Sequence, residues 1–216
     1  MTDREYDKGV AFIFEGSTED LFYEVLLYHF NGCNPGYNLR KVNIIDSDID
    51  ALVSEGPDQA IIICRYTLGS ITNISQAGPW FTNRCKKQFP GIPWTIFLCY
   101  DTDSYKNPIT KFYEGDWERL RRKLQGNSII DLAAQAEIED LFMLDTEGIC
   151  SYLGVPVQDI PNNGKGKRKL KNFFNTFRKS YHEGERAQDL ILSLDMDTIV
   201  EKAEIPLIRI EEECFP

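Results

Sequence analysis

Carboxylates are the side chains here whose types and spacing could do chemistry. Glu15 and Glu19 stand four residues apart in VAFIFEGSTE (Val10 to Glu19), Asp101 and Asp103 stand two apart in FLCYDTDS (Phe97 to Ser104), and Glu137, Glu139 and Asp140 crowd into AEIEDLF. Side chains at i and i+2 of an extended segment point the same way, so Asp101 and Asp103 can face one ion. His29 and His182 are the only imidazoles, which argues against chemistry built on a histidine cluster. The six cysteines (33, 64, 85, 99, 150 and 214) include no CxxC pair. They are expected to be reduced and mostly buried, with neither a disulfide frame nor a zinc site. A few carboxylates suffice for Mg²⁺, which prefers oxygen ligands and keeps several waters.

These acids need elements to position them. Val10 to Phe14 is a continuous apolar run of strand length, as in a strand covered on both faces. Glu15 then falls at its carboxyl edge, Gly16 allows a tight turn, and Ser17 reads as the N-cap of a helix with Asp20 as its capping-box partner. Trp94 to Tyr100 is a second apolar strand ending at Asp101. In a parallel sheet the carboxyl ends of the strands lie along one side, where ligands bind, so Asp101 and Asp103 can approach Glu15 and Glu19. Leu39 to Ile45, Gln59 to Tyr66 and Ile129 to Leu132 read as further strands, and Pro79 to Phe89 as a helix with Pro79 in its first turn. Asp46, Asp48 and Asp50 alternate like a calcium loop but lack the EF-hand spacing of glycine and glutamate, so they read as a solvated, helix-capping loop.

The net charge of −10 speaks against a polyanionic partner until its distribution is considered. Seven basic residues and no acid lie between Gly164 and Lys179, so the rest of the chain carries −17. Leu170, Phe173, Phe174 and Phe177 recur at helical spacing within that segment, giving an amphipathic basic helix whose phenylalanines are core rather than base-stacking residues. The 216 residues read as one domain, an α/β core over about 1–155 and a helical C-terminal part over about 156–216. No run of eighteen apolar residues occurs and the start of the sequence is polar, so a soluble, cytoplasmic protein is expected, with no membrane partner.

FIFEGSTE and FLCYDTDS, with weaker support from AEIEDLF, resemble the Toprim domain shared by topoisomerases, bacterial primases and the overcoming-lysogenization-defect type nucleases. The EGxTE form is most similar to small stand-alone Toprim-like proteins of bacterial phage defence. The resemblance implies a mainly parallel central sheet flanked by helices and one or two Mg²⁺ or Mn²⁺ ions. It implies Asp101 and Asp103 on one ion, Glu15 bridging or acting as general base, and Glu19 and Glu137 completing a second site. A lysine such as Lys167 would neutralise the transition-state phosphate, while Lys165, Arg168, Lys169 and Lys171 would hold a nucleic-acid backbone. The implied activity is metal-dependent phosphodiester hydrolysis in DNA or RNA. The alternative is a non-catalytic subunit that binds nucleic acid or a partner, such as an ATPase or another defence protein; a homo-oligomer is also open. Nothing resembles a topoisomerase tyrosine domain or a primase zinc module.

Overall fold

The structure is a computed structural model that describes residues 6–44, 50–103, 105 and 111–216, with backbone only over 111–114. The chain is α/β. In order, the elements are β1 (Lys8–Phe14), α1 (Ser17–Cys33), β2 (Asn38–Val42), β3 (Asp50–Glu55), β4 (Ala60–Thr67), α2 (Ile74–Trp80), β5 (Trp94–Asp101), α3 (Lys111–Lys123), β6 (Ser128–Ala134), α4 (Glu139–Phe142), α5 (Thr146–Leu153), α6 (Gly166–Thr176), α7 (Gln188–Leu192), α8 (Met196–Lys202) and α9 (Ile208–Cys214). The sheet order is β2-β3-β4-β1-β5-β6. β1 pairs in parallel with β4 and β5, and β5 pairs in parallel with β6. β3 runs antiparallel to both β2 and β4.

Side chains alternate across a strand, and β1 shows the consequence on both faces. Val10, Phe12 and Phe14 belong to one hydrophobic cluster, with Phe22 and Leu26 of α1, Phe173 of α6, Ile191 of α7, Ile199 of α8 and Ile210 of α9. Ala11 and Ile13 belong to the other, with Ala77 of α2, Trp117 and Leu120 of α3, and the sheet residues Ile62, Ile96 and Leu98. Helices therefore cover both faces, and the C-terminal helices share a core with the first strand. Leu170, Phe173 and Phe174 are core residues, as their spacing predicts. At Gly9 an added Cβ would lie 2.5 Å from the Trp94 ring. Gly9→Ala should therefore force that ring aside and lower stability by about 1–3 kcal/mol in urea unfolding.

Four local expectations change. Ser17 is the first helical residue and not the cap; Gly16 is the N-cap and no side chain caps it. Asp20 turns instead to Arg65 (3.2 Å) and to the Thr67 hydroxyl (2.9 Å), a charged partner that a local capping box cannot match. The helix after β4 starts at Ile74, holds Pro79 inside α2, and continues through a π-helical turn over Phe81–Lys86. Proline lacks the N–H that an interior position uses, and the wider turn follows it directly. Asp50 opens β3 opposite Arg65 and accepts from that guanidinium at 2.6 Å, so it is a strand residue. Asp46 and Asp48 lie outside the described residues. β3 itself is a strand that the sequence reading passed over; Gly56 N–H to Gln59 carbonyl (2.8 Å) closes its hairpin to β4.

Candidate active site at the sheet mouth

β1 ends at Phe14, and Glu15 follows with its N–H bonded to the Cys99 carbonyl of β5 (3.0 Å). One Glu15 carboxylate oxygen accepts from Asp101 N–H at 3.4 Å. Gly16 has a role beyond the turn: a Cβ there would meet the Glu19 carboxylate at 2.9 Å, so the missing side chain gives Glu19 room to lie over the mouth. Asp101 closes β5 and accepts the Ile138 N–H at 2.8 Å, which ties it to the start of α4. Glu139, the first residue of α4, is 1% exposed; its Oε1 accepts from Tyr181 OH (2.9 Å), while its buried Oε2 has no partner. Lys167 enters from α6 and pairs with Glu183 at 2.9 Å. Glu15, Gly16, Glu19, Thr67, Asp101, Glu139, Lys167 and Glu183 line a cavity of about 450 Å³.

Carboxylates this close and this dry resist ionising together. Burial raises the pKa of Asp101, and Glu19, Glu139 and Glu15 raise it further. Burial likewise raises Glu19, with Glu15 adding to the effect and Lys167 opposing it. Glu139 is pushed up to about 7 by burial, against the Tyr181 hydrogen bond and Lys167. Lys167 opposes the shifts of Glu19 and Glu139 without returning either to its ordinary range. The donor set is all oxygen, and the Oε2 of Glu139 is a buried acceptor with no hydrogen-bond donor among the described residues, which together fit a hard divalent cation. Among the described residues no three of these carboxylates offer ligand atoms within 4.8 Å of one another.

The other candidates lie elsewhere. Asp103 adopts φ 58°, gives its N–H to Ala136 O (2.8 Å) and sets its carboxylate 3.3 Å from Lys165 Nζ, so the left-handed turn breaks the i, i+2 alignment with Asp101 and leaves it outside the cavity lining. Glu137 accepts the Lys167 backbone N–H at 2.6 Å. It thereby serves as the cap that α6 otherwise lacks, since Lys165 supplies none. Asp140 holds Tyr105 OH (2.6 Å) and Lys169 Nζ (3.3 Å), and a Cβ on Gly166 would come within 2.9 Å of its backbone nitrogen.

The basic run is also less free than its sequence implies. Lys165, Lys167, Lys169 and Lys171 all pair with acids from other segments: Asp103, Glu183, Asp140 and Glu183 respectively. The segment carries one sign in sequence, and the fold supplies the other. Arg168 makes no ion pair among the described residues and lines a surface pocket with Tyr105, Glu137, Gly164 and Lys165. If this edge holds a nucleic-acid backbone, Arg168→Glu should weaken its binding about tenfold at low salt and flatten the dependence on salt, measured by fluorescence anisotropy.

Glu183 and Tyr181 escaped the sequence reading, because only the return of the chain after α6 brings them to the mouth. Glu139 was visible as an acid between apolar neighbours, but its burial was not.

No family model matches the chain, and no curated protein matches it. Among solved structures it is similar to the cytosolic domain of L. pneumophila FeoB, at 13% identity and a TM-score of 0.36 over 95% of this chain and 80% of that one. It is also similar to a futalosine hydrolase mutant of Helicobacter pylori strain 26695, at 8% identity and a TM-score of 0.28 over 95% and 96%. Similarities at this level carry no argument about what the protein does. No helix among the described residues is long and apolar enough to cross a membrane.

Proposed function

We propose that this protein hydrolyses phosphodiester bonds in DNA or RNA with Mg²⁺ or Mn²⁺ at the sheet mouth. The observation that carries the reading is the cavity into which Glu15, Glu19, Asp101 and Glu139 converge beside Lys167. The resemblance of EGSTE and DTD to the Toprim pattern, and its link to anti-phage nucleases, point the same way. Those four acids would hold the cation, while Asp103 and Glu137 stay with Lys165 and the α6 N-terminus. Bound there, a divalent ion would supply a nucleophilic water and charge stabilisation for the leaving oxygen. Lys167 sets positive charge at the cavity wall, where the phosphate gains charge in the transition state. Glu183 and the capped first turn of α6 hold that lysine in place, and Tyr181 fixes the orientation of Glu139.

One observation favours the second reading, a non-catalytic subunit that binds nucleic acid or a partner ATPase: the lysines meant to hold a polyanion are already paired within the chain. Incubating wild-type protein with Mg²⁺ or Mn²⁺ and plasmid, single-stranded DNA or total RNA separates the two. Cleavage is expected, with Lys167→Met lowering kcat about 10²-fold at little change in substrate affinity. Intact substrate under all these conditions, alone and with the product of a neighbouring gene, would leave only the binding role.

A further inference from the structure

At the far end of α1 from the mouth, roughly 18 Å along the helix from Ser17, three side chains of different chemistry meet. His29 and Cys33 are four residues apart and so share one face of α1. Asp197, in the first turn of α8, reaches the same point from the other side. His29 Nε2 lies 3.1 Å from Asp197 Oδ1 and 3.7 Å from Cys33 Sγ, and the three donor atoms lie within 4.8 Å of one another.

We propose that His29, Cys33 and Asp197 form a binding site for a thiophilic divalent cation of the Zn²⁺ type, independent of the carboxylate mouth. The donor set decides the class. Imidazole and thiolate favour Zn²⁺ over Mg²⁺ or Ca²⁺, and three protein ligands with an open fourth position are a regular zinc arrangement. The spacing also agrees. Tetrahedral bonds of about 2.0–2.1 Å to nitrogen or oxygen and about 2.3 Å to sulfur place N and S about 3.6 Å apart and N and O about 3.4 Å apart. The three donors already stand near those separations, so binding requires little rearrangement.

The supporting elements are fixed. Phe22, Leu26 and Phe30 bury the adjoining side of α1, and Ile199 anchors α8 in the same hydrophobic cluster. Asp195 caps α8 by accepting from the N–H groups of Asp197 (3.1 Å) and Thr198 (3.4 Å). Its own N–H is held at 2.7 Å by buried Asp145. Asp197 is thus presented on a clamped turn rather than a loose tail. Binding would displace the Cys33 thiol proton to solvent and leave the imidazole proton on Nδ1, freeing Nε2 for the ion. An ion here would staple the C-terminal end of α1 to the N-terminal turn of α8. The sequence contains no CxxC or HxxxH to announce it, since its third ligand arrives only with the fold.

The test is titration of the chelator-treated protein with Zn²⁺ against a chromogenic competitor, in excess Mg²⁺ to occupy the carboxylate mouth, followed by Co²⁺ as a spectroscopic substitute. One equivalent should bind at roughly 1 µM or tighter, with a near-ultraviolet thiolate-to-Co²⁺ band. Cys33→Ser and Asp197→Asn should each weaken binding at least tenfold, and Cys33→Ser should remove the band. All these side chains are partly or fully exposed, so the variants should keep the wild-type circular dichroism spectrum. Asp101→Asn should leave Zn²⁺ uptake unchanged. Absence of uptake at about ten times that concentration, uptake that survives Cys33→Ser, or uptake abolished by Asp101→Asn would each overturn the site.

Discussion

Asp101→Asn should abolish metal-dependent cleavage and, in metal-free buffer at pH 8, leave the protein more stable than wild type. Both effects share one cause. Asp101 lies at the buried end of β5, where burial and then Glu19, Glu139 and Glu15 disfavour its charged form. Asparagine keeps the shape and the carbonyl oxygen that accepts from Ile138 N–H, yet removes the charge that needs a cation. Loss of a cation ligand forfeits several kcal/mol of transition-state stabilisation, about 10³-fold in rate. Asparagine is neutral in both states, so folding at pH 8 no longer has to neutralise a carboxylate that is ionised in the unfolded chain, which recovers about 1–3 kcal/mol of stability, and each kcal/mol is about 2–4 °C in Tm for a chain of this size.

The pH dependence has a definite sign. Glu139 shifts from 4.5 to about 7 on folding, so within that window the folded chain holds more protons than the unfolded one. The contribution of Glu139 to stability is then fully present below pH 4.5 and is lost as pH rises through 7. Glu19 and Asp101, shifted in the same direction, add to the loss. Melting curves at pH 5.5 and 8, with and without Mn²⁺, should show the metal raising Tm more at pH 8 in wild type and not in Asp101→Asn. Equal responses in the two proteins would remove the acid cavity as the cation site.

The second large effect is on stability alone. Arg65→Leu should cost about 3–5 kcal/mol, measured by urea unfolding. The Arg65 side chain is 5% exposed and faces Asp20 (3.2 Å), Glu24 (2.6 Å) and Asp50 (2.6 Å). The contact with Asp50 is a hydrogen bond, whereas Arg65 Nε and Nη1 approach Asp20 and Glu24 as close charges without hydrogen-bond alignment. Without the guanidinium, Glu24 still has Lys41 at 2.8 Å and Asp50 is half exposed. Asp20 keeps only the Thr67 hydroxyl, and burial already raises its pKa. The orphaned Asp20 charge therefore dominates the cost, and adding Asp20→Asn to Arg65→Leu should recover part of it. A double variant no more stable than the single one would show that lost packing of the arginine stem, and not charge, sets the loss.

What could be read from the sequence follows from how locally each feature is determined. The runs VAFIF, QAIIICRY and WTIFLCY declare buried strands by composition alone, and their carboxyl ends place Glu15 and Asp101. The helix over Thr146–Leu153 ending at Gly154, φ 68°, is equally local. β3 was not legible, because ALVS is short, follows a run of aspartates, and owes its pairing to Arg65 and the hairpin beyond it. Asp103 departs from its extended reading because its backbone joins Ala136, also left-handed at φ 64°, a contact that spacing cannot encode. The basic segment misled for the same reason, since the acids that pair with it come from Asp103, Asp140 and Glu183.

The place of β1 in the middle of the sheet governs the order of assembly. Lys8 pairs with Ile61 and Gly9 with Trp94, so each edge of β1 waits for a much later segment of the chain, one for β4 and the other for β5. Parallel pairing over such separations closes large loops before contacts repay the entropy, which slows folding. Until β4 arrives VAFIF is an apolar strand with two open edges, and until β5 follows one of them stays open. Aggregation of refolding intermediates should therefore track the exposure of this one segment.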